Sequence, residues 1–247
     1  METRIQAHRG ASAYYPENTL EAFTKAIEFG ADAIELDVHL AKDGEIVVAH
    51  DAALERVSNG TGYIYDHTLE ELKALDFSKL HPGTVCRIPT LDEVFSLIKP
   101  STLMMNIELK GEYPGLPEKL LAMIEGYGMG ERVICSSFNH YLVRRIKELD
   151  PRIKTALIYN WSLVDPWVYA NYLGVYAIHP PYDIIKARPE IVERCHEKGV
   201  AVNAWTLDEA EKINLMLKYG VDWITSNRAD VAIACRNAYR EKRYLLN

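Results

Sequence analysis

The stretch RIQAHRGASAYYPENTLEAFTKAIEFGADAIELDVHL, residues Arg4–Leu40, reads as strand, helix, strand. Arg4–His8 and Ala33–Leu40 are short β-prone runs. Between them, Asn18 followed by Glu21 carries the signature of a helix cap, opening a helix that runs to about Phe29 and closes at Gly30. The same switch between periods recurs along the chain. Further strand-like runs are Thr102–Lys110, Arg132–Phe138, Lys154–Tyr159, Val175–His179, Ala201–Thr206 and Trp223–Ser226. Thr206 with Glu209 repeats the cap signature before Ala210–Tyr219, which Gly220 ends, and Pro189–Lys198 starts on proline and stops at Gly199. Eight strands alternating with helices over 247 residues predict an α/β fold, a TIM-type (β/α)8 barrel forming a single domain over 1–247. An open doubly wound sheet is the competing architecture, but His8-Arg9-Gly10-Ala11-Ser12 lacks the later glycine of a dinucleotide fingerprint.

One stretch breaks the rhythm. Roughly fifty residues separate the second strand from Thr90, where a barrel needs one helix and two short loops. A short strand, Glu45–Ala49, ends on His50; the Gly-rich Asn59-Gly60-Thr61-Gly62 follows, then a helix capped at Thr68. The capping box of Thr90 and Glu93 opens Leu91–Ile98, the barrel helix proper. Residues 51–88 are therefore expected to form a small insertion over the C-terminal mouth, not a separate core.

Four short pairs carry the chemistry: His8-Arg9, Glu35-x-Asp37, His50-Asp51 and Glu108-x-Lys110. Each falls at the C-terminal end of a strand run, the end where barrels of this kind build active sites. Residues two apart in a strand share a face, so Glu35 and Asp37 point together, as do Glu108 and Lys110. Carboxylates brought that close repel unless a cation lies among them. Glu35, Asp37 and Glu108 offer hard oxygen ligands of the kind that suits Mg²⁺ or Ca²⁺, with Mn²⁺ a further candidate. The plainer alternative pairs them with Lys110 and Arg9. His8 and His50 can exchange protons near neutral pH and so act as general acid and base, the two roles that diester cleavage needs. His39 shares the parity of Glu35 and Asp37 but precedes the turn Lys42-Asp43-Gly44, and is read as a mouth residue without a chemical role. Arg9 and Lys110 are candidates to grip a phosphate. Glu17 either binds substrate hydroxyls or orients Arg9, and Asn18 serves as a cap. Trp205 and Phe138, at the ends of later strands, are candidates to pack against glycerol or another small alcohol.

Composition narrows the class of partner. The net charge of −7 gives no basic excess for nucleic-acid binding, and no run of about 18 apolar residues exists to cross a membrane. No basic amphipathic helix marks a stable membrane association, and the sequence is silent on oligomeric state. The four cysteines, Cys86, Cys135, Cys195 and Cys235, are scattered without metal or redox spacing and read as reduced thiols. A strand beginning near Arg4 leaves no room for a signal peptide, so a cytoplasmic protein is expected.

These residues, taken in order, resemble the glycerophosphodiester phosphodiesterase family. The resemblance runs nearly the full length. It rests on His8-Arg9-Gly10, Pro16-Glu17-Asn18-Thr19, Glu35-Leu36-Asp37-Val38, Lys42-Asp43-Gly44, His50-Asp51, Leu54 to Gly62, Asn106-Ile107-Glu108-Leu109-Lys110, Ser137-Phe138 and Asn203-Ala204-Trp205-Thr206. It implies a TIM-type barrel with a small insertion after the second strand, a divalent ion on Glu35, Asp37 and Glu108, His8 and His50 as the acid–base pair, and Arg9 and Lys110 facing the phosphate. The implied reaction is hydrolysis of a small glycerophosphodiester to glycerol 3-phosphate and an alcohol. Two other functions compete: a phospholipase D-type hydrolase of lysophospholipids, and a non-catalytic phosphodiester-binding protein. One departure stands out. Thr225-Ser226-Asn227 is followed by Arg228-Ala229-Asp230, without the proline usual in the family at this point.

Overall fold

The computed structural model describes residues 2–81 and 83–245, so the 51–88 segment is described except at Pro82. Among the described residues, nine strands form one sheet: β1 (Arg4–His8), β2 (Ala33–Leu40), β3 (Ile46–Val48), β4 (Met104–Leu109), β5 (Val133–Ser137), β6 (Lys154–Ile158), β7 (Ala177–His179), β8 (Ala201–Ala204) and β9 (Trp223–Ser226). Eight of them pair in parallel, and β1 bonds to both β2 and β9, closing the barrel. Only β3 lies outside that ring, antiparallel to β2. The predicted (β/α)8 barrel is what forms, and every expected barrel strand is present with ends shifted by at most two residues. Among the described residues, no helix is long and apolar enough to cross a membrane.

Parity in the strands separates two environments. Ile5, Ala7, Ile34, Leu36, Val38, Met105, Ile107 and Leu109 point outward and are buried in the main core under the ring of helices. Their neighbours point into the barrel, where the base is plugged by small residues, Ala156, Ala177 and Ala201 with Ile134. Above this plug lies a polar layer. Gln6 Nε2 donates to Thr225 Oγ1 at 2.9 Å, Thr225 Oγ1 donates to Asn203 Oδ1 at 2.9 Å, and Ser136 Oγ donates to Asn106 Oδ1 at 2.8 Å. These mutual bonds keep buried polar side chains satisfied and form the floor of the cavity above.

Two cap assignments need correction. The helix Leu20–Phe29 is capped by Thr19, whose Oγ1 accepts from the Ala22 N–H at 3.3 Å, and not by Asn18. Asn18 sits in the left-handed region at φ 58°, which frees its side chain for another task. The helix Ala210–Tyr219 starts after Glu209, with no side-chain cap from Thr206. The boxes at Thr68 and Thr90 form as expected, with Glu71 and Glu93 closing them. Around them a satellite cluster, including Val47, Leu54, Ile64, Leu72, Phe77 and Ile88, seats the 51–88 segment against β3.

Candidate active site

Register builds the site. His8 lies beside Glu35 across β1 and β2, and Asp37 lies beside Glu108 across β2 and β4. Glu35, Asp37 and Glu108 consequently each bring a carboxylate oxygen within 4.8 Å of the other two. They are only 4%, 1% and 7% exposed. Lys110 Nζ donates to Glu108 Oε1 at 2.7 Å and stands 3.5 Å from Asp37 Oδ1. Arg9 and Gly10 both take positive φ in the turn after β1, which lets the Arg9 backbone N–H donate to Glu35 Oε2 at 3.0 Å. The Arg9 guanidinium reaches back to Glu17 Oε1 at 3.0 Å and lies 3.4 Å from Asp37 Oδ2. Asn18 holds Asp37 twice, donating to Oδ2 at 2.9 Å and accepting from the backbone N–H at 3.3 Å.

This packing unbalances the carboxyls. Burial, then the charge of Asp37, pushes Glu108 up to about 7, and Glu35 rises well above the usual carboxylate range for the same reasons. Burial works against the Asp37 charge as well, but Lys110 and Arg9 outweigh it and hold that carboxyl low. Its Oδ1 is nonetheless buried without a hydrogen-bond partner. Three converging, poorly compensated carboxyls with an orphaned oxygen and no nearby thiolate fit a hard divalent cation.

The two imidazoles have different supports. His8 Nδ1 lies 2.6 Å from Asn227 Oδ1, while Asn227 Nδ2 donates to Asp208 Oδ2 at 2.7 Å. A carboxylate only accepts, so the amide must turn its NH₂ to Asp208 and its oxygen to His8. His8 Nδ1 therefore carries a proton and Nε2, 3.9 Å from Glu35 Oε2, is bare. Burial, then the Arg9 charge, lowers its pKa to about 4. His50 instead sets Nδ1 2.5 Å from Asp51 Oδ1, a partner that favours the imidazolium, although burial lowers its pKa overall. Asp51 is tied to Arg56, and Arg56 grips Glu17 at 2.7 and 2.9 Å, so one ion-pair chain links His50 to Arg9.

His8, Arg9, Glu35, His50, Glu108 and Lys110 line one cavity of about 370 Å³. Its far wall holds Phe138 and Trp205, edge to face at 5.8 Å, with Lys110 Nζ 5.9 Å from the Phe138 ring. Trp205 is fixed by its Nε1–H donating to the His179 carbonyl at 2.7 Å. Phe138 remains 43% exposed at the rim. Glu17 stands behind Arg9, occupied by two guanidiniums. His39 is not at the mouth as expected but buried beneath it. Asn18, Arg56, Asp208 and Asn227 escaped sequence reasoning as site residues; the signals were the Pro-Glu-Asn-Thr run, misread as a cap, and Asn227 after β9, noted only for the missing proline.

Comparison with known proteins bears on this arrangement. Residues 8–231 match the model of the glycerophosphoryl diester phosphodiesterase family. A glycerophosphodiester phosphodiesterase of Caldanaerobacter subterraneus subsp. tengcongensis is 46% identical over 241 residues, covering 94% of this chain and 97% of that protein. One from Bacillus altitudinis is 38% identical, covering 95% and 98%. A solved phosphodiesterase from Oleispira antarctica, in complex with the product sn-glycerol-3-phosphate, superimposes with a TM-score of 0.85 at 26% identity, covering 96% and 97%. The barrel, the converging carboxylates and a match over nearly the whole length agree: this chain belongs to the glycerophosphoryl diester phosphodiesterase family.

Proposed function

We propose that this enzyme hydrolyses small glycerophosphodiesters to glycerol 3-phosphate and an alcohol, using a divalent cation on Glu35, Asp37 and Glu108. The observation that carries the reading is the convergence of those three buried carboxylates beside a cavity that Glu35, Glu108, Lys110, Arg9 and two separately supported imidazoles line. Mg²⁺ or Ca²⁺ suits the all-oxygen set, with Mn²⁺ the third candidate. When bound, such an ion neutralises phosphoryl oxygens and eases nucleophilic attack at phosphorus.

The side chains divide the remaining work. Arg9 and Lys110 point positive charge at the phosphoryl group and stabilise the charge that grows there in the transition state. His8, with Nδ1–H spent on Asn227 and Nε2 bare, acts as general base and takes the proton of the attacking hydroxyl, from water or from the substrate's own glycerol. His50, backed by Asp51, gives a proton to the departing alkoxide as its bond to phosphorus breaks. Glu17 orients Arg9 and, through Arg56 and Asp51, steadies His50. Phe138 and Trp205 pack against the glycerol or the alcohol. The molecule works as a single barrel domain over 1–247, with 51–88 an insertion that carries part of this support. Four unpaired cysteines support a cytoplasmic setting.

The test is turnover. Purified enzyme given glycerophosphocholine should release glycerol 3-phosphate, stop on chelation, and recover with Mg²⁺, Ca²⁺ or Mn²⁺. Full activity after the metal is stripped would overturn the carboxylate assignment. Lysophosphatidylcholine serves as the comparator; preference for it would favour the lipid-cleaving alternative.

A further inference from the structure

His39 is the one histidine on the β2 face of Glu35 and Asp37, and both of its ring nitrogens bond to groups other than the carboxylates and Lys110. Its ring bridges two segments. Nε2 lies 3.1 Å from the backbone carbonyl of His50, and Nδ1 lies 2.7 Å from the Tyr113 hydroxyl. A carbonyl only accepts, so Nε2 carries the proton, and Nδ1 of the neutral ring accepts from Tyr113. Tyr113 stacks edge to face on His39 at 5.7 Å and belongs to the loop that follows Lys110. That loop is shaped for it: a Cβ at Gly111 would fall 2.4 Å from the Tyr113 ring.

The backbone around His50 needs such a tie. His50 follows β3, on the chain that leaves the barrel for the 51–88 segment. On its N-terminal side the Ala49 N–H donates to the Asp37 carbonyl at 3.0 Å. On its C-terminal side the carbonyl is held by His39. We propose that His39 and Tyr113 are a positioning pair that fixes the His50 backbone against the Lys110 loop, so that the His50 ring meets the leaving alcohol over the phosphate that Lys110 holds. This role rests on the assignment of His50 as general acid made above. Neither residue touches substrate; both act through His50.

A leaving-group comparison tests it, because an alkyl alkoxide needs a proton as it departs and p-nitrophenolate does not. Glycerophosphoethanolamine and glycerol 3-(p-nitrophenyl phosphate) are compared as substrates of the metal-loaded enzyme. His39→Leu should lower kcat at least about tenfold on the ethanolamine ester, with KM little changed, and by less than about threefold on the p-nitrophenyl ester. His39→Gln, whose amide can still donate to the His50 carbonyl, should recover most of that loss. Tyr113→Phe should give a smaller loss with the same dependence on leaving group, and decides the matter if the leucine variant does not fold. Equal losses on both esters, or none, from variants that melt like wild type would overturn the positioning role. His50→Ala separates the two claims. If it shows the leaving-group dependence and the His39 and Tyr113 variants do not, only the positioning pair is lost. If His50→Ala loses equally on both esters, the acid assignment falls and takes the pair with it.

Discussion

At the scale of single residues, the two histidines differ in what stands behind them. An amide backs His8 and a carboxylate backs His50. Asn227 can present its oxygen to His8 only because Asp208 holds the opposite end through both Nδ2–H and the backbone N–H, at 2.7 and 2.8 Å. Asn227→Ala should lower kcat about tenfold or more while leaving KM and the thermal midpoint nearly unchanged, since it frees the His8 ring without touching the phosphate grip. Steady-state kinetics beside a melting curve checks this; an unchanged kcat would remove Asn227 from the mechanism. Sequence reasoning could find His8, His50 and the three carboxylates because His8, Glu35, Asp37 and Glu108 lie in strands, where parity fixes the face, and His50 closely follows one. It could not find Asn227, Asp208 or Arg56, because their positions are set by loops that meet only when the barrel closes. Asn18 was visible but assigned to the wrong task, since a polar residue before a helix normally caps it.

At the scale of elements, strands were legible and helix starts less so. A buried strand imposes a two-residue period that a short run of sequence displays fully. A cap depends on one dihedral, and neighbouring Asn18 and Thr19 both satisfy the composition rule. The turn after β1 has a stricter signature. Gly10 has φ 81°, and a Cβ there would stand 2.7 Å from the Ala22 backbone carbon. Gly10→Ala should cost about 2 kcal/mol and lower the thermal midpoint by roughly 4–8 °C, because neither the dihedral nor the helix backbone can yield cheaply. Calorimetry showing no shift would mean that the turn relaxes. The cysteines offer a second check on packing. Cys86, Cys135 and Cys195 are buried, which pushes their thiols up to about 11, 12 and 12, whereas Cys235 is partly exposed and only raised. Iodoacetamide at pH 8 should therefore label Cys235 first in the folded protein and all four after denaturation. Rapid native labelling of Cys135 would contradict the closed barrel, since that side chain lies between β5 and its helices.

At the scale of the whole molecule, the fold holds together a cluster that by itself opposes folding. Closing β1, β2 and β4 into adjacent register buries three carboxyls within 4.8 Å of one another, against Lys110 and Arg9 as the balancing charges. Without a cation the protein must keep charge in a dry site or take up protons there, and either costs stability at pH 8. A cation that binds only the folded chain returns that stability by mass action, about 2.7 kcal/mol at a hundredfold excess over Kd, or roughly 5–11 °C in a domain of this size. Glu108→Gln supplies the decisive contrast. The amide keeps the shape, removes one buried charge and forfeits one ligand. The ion-free variant should melt no lower than the ion-free wild type, while its gain on adding Mg²⁺ or Ca²⁺ should shrink to a small fraction of the wild-type gain. Had the carboxylates been built to pair with Lys110 and Arg9, the order would reverse: the variant would lose stability without any ion, because Lys110 would lose its 2.7 Å partner, and added cation would change neither protein. Melting curves of the two proteins, each with and without cation, thus decide between a metal centre and an ion-pair network, independently of any measurement of turnover.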